Sequence, residues 1–204
     1  MRAVRKRVVY LHGFNSSPRS DKAHQFMEWC SMRPELDVQI PALSWNPELA
    51  IRQLENLITQ QMPVDLLVGS SLGGYYATWL VENFGRNNSM RAALINPAVS
   101  PCRYLGEKFL GRHRNPWTDE VYEITPAHAS ELGSIEPDGI SDPSRYLLLV
   151  QTADEVLDYR RATAFYRGAR QIVQEGGSHS FENFRNMITT IVDFAETATN
   201  RSSL

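Results

Sequence analysis

Two cysteines, Cys30 and Cys102, are all that the 204 residues contain. That number argues against a disulfide framework and for a reduced, cytoplasmic setting. Net charge is also scarce, at −2 near neutrality, so the molecule as a whole has no strong attraction to nucleic acid or to an anionic membrane. Long apolar runs are missing. Val8-Val9-Tyr10-Leu11, behind the basic Met1–Arg7, is too short for the core of a signal peptide and ends in His12-Gly13. No segment approaches the ~20 residues that a membrane-spanning helix needs. Gly-x-x-x-x-Gly-Lys-[Ser/Thr] is absent, which excludes a P-loop. His-Glu-x-x-His and Cys-x-x-Cys are absent too, and His24, His113 and His128 show no metal-ligand spacing, so no metal is expected. There are no internal repeats and no low-complexity tracts. What is left has ordinary apolar content and is long enough for one well-filled core but too short for two. Residues 1–204 are expected to form a single domain.

The apolar pattern alternates between strand and helix. Strands are expected at Arg7–Leu11, Val38–Ile40, the run from Val64 into Gly69, Arg91–Asn96, Arg145–Thr152 and Gln171–Val173. Between them, Ser20 can cap a helix with Ala23, Phe26, Met27 and Cys30 on its apolar face. Asn46-Pro47 can open a second, with Ile51, Leu54, Leu57 and Ile58 as its buried stripe. A third runs from about Leu72 to Phe84, and Asp158 can cap a fourth through Phe165. The last follows Ser180, with Phe184, Met187, Ile188, Ile191, Val192 and Ala195 on one face, and the tail from Thr199 is expected to fray. Such alternation implies a mostly parallel six-stranded sheet with helices on both faces, a three-layer α/β sandwich. The strands lack polar alternation because both of their faces are covered. Ligands then bind at the carboxyl ends of the strands. The stretch 100–144 does not fit this alternation. It is about 45 residues long, far beyond the ~4–6 of an ordinary connection, and carries Tyr104, Phe109, Trp117 and Tyr122. It reads equally as a surface excursion with short helices of its own or as a cap that supplies an apolar pocket.

The chemistry centres on Val68-Gly69-Ser70-Ser71-Leu72-Gly73-Gly74, where a buried strand meets Gly-x-Ser-x-Gly and a helix starts at once. In a nucleophile elbow this sharp turn lifts one hydroxyl clear of the backbone, here that of Ser71. A serine hydroxyl is a poor nucleophile until a base takes its proton. The elbow therefore predicts a carboxylate and a histidine further on, in the order Ser, acid, His. His179 follows the last strand in Gly176-Gly177-Ser178-His179-Ser180 and is the candidate base. Asp154, just after the Arg145–Thr152 strand, is the preferred acid, holding the imidazole in the right tautomer. Its rivals are Glu155, adjacent and pointing elsewhere, and Asp158, better placed as a helix cap. The position after the preceding strand is held by Asn96, which cannot carry that charge. Acyl transfer also needs donors for a developing oxyanion. The backbone amides of Leu72 and of Phe14, in the loop His12–Ser17, are the candidates, with His12 a structural hydrogen-bonding residue rather than a second base. The triad needs no cofactor. Arg112-His113-Arg114 reads either as a solvated face or as a holder for an anionic substrate tail.

Leu11–Pro18, Val68–Thr78, Asn96–Val99, Asp154–Arg160 and Gly176–Phe181, together with the span from about residue 8 to about 195, resemble the YqiA/YcfP-type esterases of the α/β-hydrolase superfamily, the YqiA type most of all. The resemblance implies an α/β-hydrolase domain with Ser71 as nucleophile, Asp154 as acid and His179 as base. It also implies an esterase that prefers short acyl chains and accepts thioesters. This sequence has Ala153 where the family often has glycine. The leading expectation is a serine hydrolase that cleaves a small-molecule acyl ester or thioester by way of an acyl-enzyme. An acyltransferase on the same triad, and a noncatalytic small-ligand-binding protein of the same fold, are the alternatives.

Overall fold

The computed structural model of the chain describes residues 5–61, 63–85, 89–104 and 109–195. The tail from Thr199 and the side chain of Tyr104 lie outside them. Strands β1 (Lys6–Leu11), β2 (Leu36–Gln39), β3 (Leu66–Ser70) and β4 (Arg91–Ile95) are joined later by β7 (Tyr146–Gln151) and β8 (Arg170–Gln174). Together they form a six-stranded sheet in the order β2-β1-β3-β4-β7-β8, and every neighbouring pair is parallel. A parallel sheet must bury both faces, and the central strands do so by alternation between two apolar clusters. Val9, Leu11, Leu67, Ala92, Leu94 and Leu148 join one cluster; Val8, Tyr10, Val68, Ala93, Ile95 and Leu149 join the other. Each fully buried aliphatic or aromatic side chain here contributes about 1.5–3 kcal/mol relative to exposure.

Helices α1 (Asp21–Ser31) and α7 (Ile188–Phe194) cover one face through Phe26, Cys30, Ile188 and Ile191. Helices α2 (Pro47–Gln61) and α3 (Leu72–Phe84) cover the other, with α6 (Tyr159–Phe165) beside β7. This makes the three layers. Helix α3 is buried at every position from Leu72 to Val81, as a helix between a sheet and further helices must be. Asn46 caps α2, its Oδ1 accepting the Leu49 amide at 3.0 Å, and Asp158 caps α6, accepting from Arg160 at 3.0 Å. Among the described residues no helix is long and apolar enough to cross a membrane.

Four details depart from the sequence pattern. Ser20 stands at the start of α1 but makes no side-chain capping bond, and Met27 on that helix is exposed while Ala23, Phe26 and Cys30 carry the buried face. The final α-helix does not begin after Ser180. Asn183 adopts a left-handed conformation (φ 57°), Phe184–Met187 form a 3-10 turn, and only then does α7 start. Within 100–144, short helices α4 (Pro101–Tyr104) and α5 (Pro126–Ser134) flank an antiparallel hairpin, β5 (Gly111–Arg114) and β6 (Val121–Ile124). The hairpin escaped the sequence reading because its strands are four residues each and its inward residues, such as Tyr122 and Ile124, alternate with charged ones.

Candidate active site

Ser71 stands between β3 and α3 at φ 54°, ψ −121°, a conformation that costs a non-glycine residue about 1–3 kcal/mol and persists only where its surroundings enforce it. Here they do. The Ser71 amide donates to the Ile95 carbonyl at 3.0 Å, and its carbonyl accepts from Gly74 at 2.9 Å and Ala98 at 3.0 Å. The flanking glycines are demanded by space. A Cβ on Gly69 would lie 2.6 Å from Gly74 Cα, and one on Gly73 would lie 2.6 Å from the Leu11 carbonyl carbon and 2.7 Å from the His12 oxygen. The spacing is therefore a packing requirement: Gly73 where α3 begins against the end of β1, Gly69 where β3 passes the start of α3; its result is a serine hydroxyl raised at the carboxyl edge of the sheet.

His179 meets that hydroxyl from the far end of the chain. Its Nε2 lies 3.1 Å from Ser71 Oγ, and its Nδ1 lies 2.9 and 3.0 Å from the two carboxylate oxygens of Asp154. The Asp154 side chain is 1% exposed and that of His179 is 22% exposed, so the acid is sealed beneath the ring while the reacting edge stays open. An acceptor-only carboxylate beside Nδ1 assigns the proton to that nitrogen and leaves Nε2 to accept from the serine O–H. Asp154 Oδ1 also accepts the amides of Val156 at 2.9 Å and Leu157 at 2.8 Å, which fixes its direction. While the ring bonds Asp154 and Ser71, the carboxylate of Glu155 accepts the backbone amide of His179 at 3.0 Å. That contact holds Glu155 below the usual carboxylate range. Asp158 is spent on its helix cap and on Arg160.

Two buried amides hold the histidine loop: Asn96, which the sequence marks only as unable to carry the acid's charge, and Gln151, to which it gives no role. Asn96, at the end of β4, donates to the carbonyls of Ser178 at 3.0 Å and His179 at 3.2 Å, while its Oδ1 accepts the Gln151 amide at 3.0 Å. Gln151, last in β7, accepts from the amides of Ser178 at 3.0 Å and Glu182 at 2.8 Å, and donates to the Glu182 carbonyl and the Gln174 side chain. A polar residue closing an otherwise apolar buried strand was the available signal in both cases.

The loop after β1 passes directly under the serine. A Cβ on Gly13 would sit 3.1 Å from Ser71 Cβ. His12 is held within this loop, its Nδ1 donating to the Gly13 carbonyl at 3.0 Å and its Nε2 accepting the Leu43 amide at 3.1 Å. Burial pushes its pKa down, which keeps the ring neutral. Leu72 is the first residue of α3, where backbone amides have no partner within the helix. The β5–β6 hairpin braces the loop from outside. Tyr122 donates to Asn15 Oδ1 at 3.0 Å, Asn115 donates to the Ser16 carbonyl at 3.0 Å, and the rings of Phe109, His113 and Tyr122 surround Phe14. The loop separates two cavities. One, of about 210 Å³, is lined by Ser71, His179, Gly13, Trp117 and Lys22. The other, of about 260 Å³, is lined by Leu72, Tyr76, Trp45 and Tyr122 and does not reach Ser71. Arg112 and Arg114 line neither, and Arg114 pairs with Asp119 at 2.8 Å. Among the described residues no group of three or more His, Cys, Asp or Glu side chains could hold a metal ion.

A profile described as an uncharacterised protein family, UPF0227, matches residues 7–196. A UPF0227 protein of Pasteurella multocida is 22% identical over 93% of this chain and 99% of its own length. Among solved structures, mouse alpha/beta hydrolase domain-containing protein 10 superposes with a TM-score of 0.74 at 17% identity, covering 97% of this chain and 92% of that one. The esterase domain of a Rhodothermus marinus protein superposes with a TM-score of 0.68 at 16% identity, covering 96% and 88%. The fold is that of the α/β hydrolases.

Proposed function

This chain belongs to the UPF0227 family, and from that premise and the site's geometry we propose that it is a serine hydrolase that cleaves small carboxylic esters or thioesters through an acyl-enzyme. The observation that carries the reading is the unbroken chain from Ser71 Oγ through both nitrogens of His179 to the buried carboxylate of Asp154, at 3.1 and 2.9 Å. Ser71 Oγ attacks the acyl carbon while His179 Nε2 takes its proton. The charge that develops on the carbonyl oxygen meets the amides of Phe14 and Leu72. Collapse of the tetrahedral species expels the alcohol or thiol, which leaves with the proton returned by His179. Water then gives a proton to the same nitrogen as it attacks the acyl-serine, and collapse of this second tetrahedral species breaks the acyl–Oγ bond, returns that proton to Ser71 Oγ and releases the carboxylic acid. Asp154 stabilises the imidazolium in both halves and does not itself take up the proton.

The cavity beside Ser71, about 210 Å³, is smaller than the ~300–1,000 Å³ of drug-sized pockets, which favours a small acyl group. The reading includes a reduced, cytoplasmic setting that suits the two free cysteines, and 100–144 acts as a cap that braces the Phe14 loop. Turnover of acyl esters and acyl thioesters of graded length tests it. Hydrolysis that falls off with chain length is expected. No hydrolysis of any member, or transfer to added alcohols in preference to water, contradicts it.

A further inference from the structure

The cavity that holds Ser71 and His179 also contains a cation. Lys22, the second residue of α1, lines it next to the exposed Asp21, and no other lysine or arginine among the described residues does so. Its ammonium donates to the Ser180 carbonyl at 2.9 Å, which uses one of three donors. It forms no ion pair among the described residues, and Asp21 and Asp154 act on it only through space. Burial is the larger influence on it and lowers its pKa, against the pull of those two carboxylates. A lysine in the first turn of a helix also faces the positive end of the helix dipole. A half-buried ammonium that among the described residues donates to one carbonyl gains further when an anion meets its other donors.

Resting on the serine-hydrolase reading, we infer that Lys22 anchors an anionic group of the substrate, so that the preferred ester carries a carboxylate or phosphate within reach of Ser71. The anion takes the free ammonium donors as the acyl carbon settles against the serine. Lys22 is thus a specificity-determining residue, distinct from the three that move the proton.

The test compares p-nitrophenyl monoesters of succinate, glutarate and adipate, charged on the acyl side, with neutral p-nitrophenyl butyrate. It also compares 3-acetoxybenzoate, charged on the leaving group, with phenyl acetate. At low salt at least one anionic ester is expected to exceed its neutral partner in kcat/KM by about ten- to hundredfold, the worth of a hydrogen bond to a charged group. The ratio shrinks as salt rises. Lys22→Met collapses the ratio, Lys22→Gln does the same, and Lys22→Arg keeps more of it. The two arms tell an acyl-side anion from one on the leaving group. Equal ratios in the wild type and Lys22→Met overturn the inference. A lysine that merely pins the Ser180 loop would lower both kinds of ester alike. A second measurement separates this idea from the esterase reading. Binding of monomethyl glutarate to the Ser71→Ala protein, followed by amide chemical shifts, is expected to weaken about tenfold or more with Lys22→Met. Binding indifferent to Lys22 overturns the anion site even if esters are turned over. Binding that depends on Lys22 without turnover of any ester sustains the site and removes the esterase.

Discussion

The backbone amide of His179 donates to the Glu155 carboxylate at 3.0 Å while the ring of the same residue donates to Asp154 at 2.9 Å. Two consecutive acids thus grip one histidine from two directions, one setting its ring and the other its main chain. Asn96 adds a third hold through the His179 carbonyl. Removal of the Glu155 contact with Glu155→Ala is expected to lower kcat by up to about 10²-fold, the cost of a misplacement near 1 Å, while Glu155→Gln, which keeps an acceptor oxygen, retains most of it. Steady-state kinetics decide; an unchanged kcat in Glu155→Ala would leave the backbone contact without a role.

Asp154→Asn is expected to cost about 10⁴-fold in kcat, because an amide at that place favours the wrong imidazole tautomer. Asp158→Asn should leave activity near the wild-type level, since asparagine caps a helix as well as aspartate does. The reverse pattern in the two variants would make Asp158 the acid.

Gly73→Ala tests the packing origin of the serine turn. The added methyl would fall 2.7 Å from the His12 oxygen and 2.6 Å from the Leu11 carbonyl carbon. A destabilisation at the top of the ~1–3 kcal/mol range for overpacking, or beyond it, is expected. Gly139→Ala, with nothing within 4 Å, should change stability by no more than about 0.5 kcal/mol. Denaturant melts of both variants measure this.

His12 gives a pH signature of stability. Burial lowers its pKa below the ordinary 6.5, so between the two values the unfolded chain binds more protons than the folded one. Stability therefore rises with pH through that window, is fully present above 6.5, and is lost as pH falls toward the folded value. Protonation of Nε2 also removes the acceptor for the Leu43 amide at 3.1 Å. The stability advantage of the wild type over His12→Gln should be larger at pH ~7 than at pH ~5. A pH-independent difference would contradict a neutral buried ring.

The sheet and its layers were legible because a strand covered on both faces has to be apolar throughout, as Tyr146–Val150 is. Ser71 was legible because only a tight strand-to-helix crossing requires glycine at 69 and 73 together. The order rule then pointed to Asp154 and His179, and the three side chains do meet; their chemical roles are what the substitutions above test. Other features were hidden for physical reasons. The amides of Asn96 and Gln151 act through hydrogen bonds to a loop 82 and 27 residues away, a distance that no local periodicity records. Lys22 lies at the polar start of an amphipathic helix, and only the fold brings the start of α1 to the serine. The β5–β6 hairpin is too short to announce itself by alternation, and Tyr122 reaches Asn15 across 107 residues.

Labelling by a fluorophosphonate, read by peptide mass spectrometry, tests the central claim most directly, since it requires a serine activated by its base. A single adduct on Ser71 of the folded protein, greatly slowed in His179→Ala and absent from Ser71→Ala, is the predicted result. No adduct, or one on another serine with Ser71 untouched, would contradict the account.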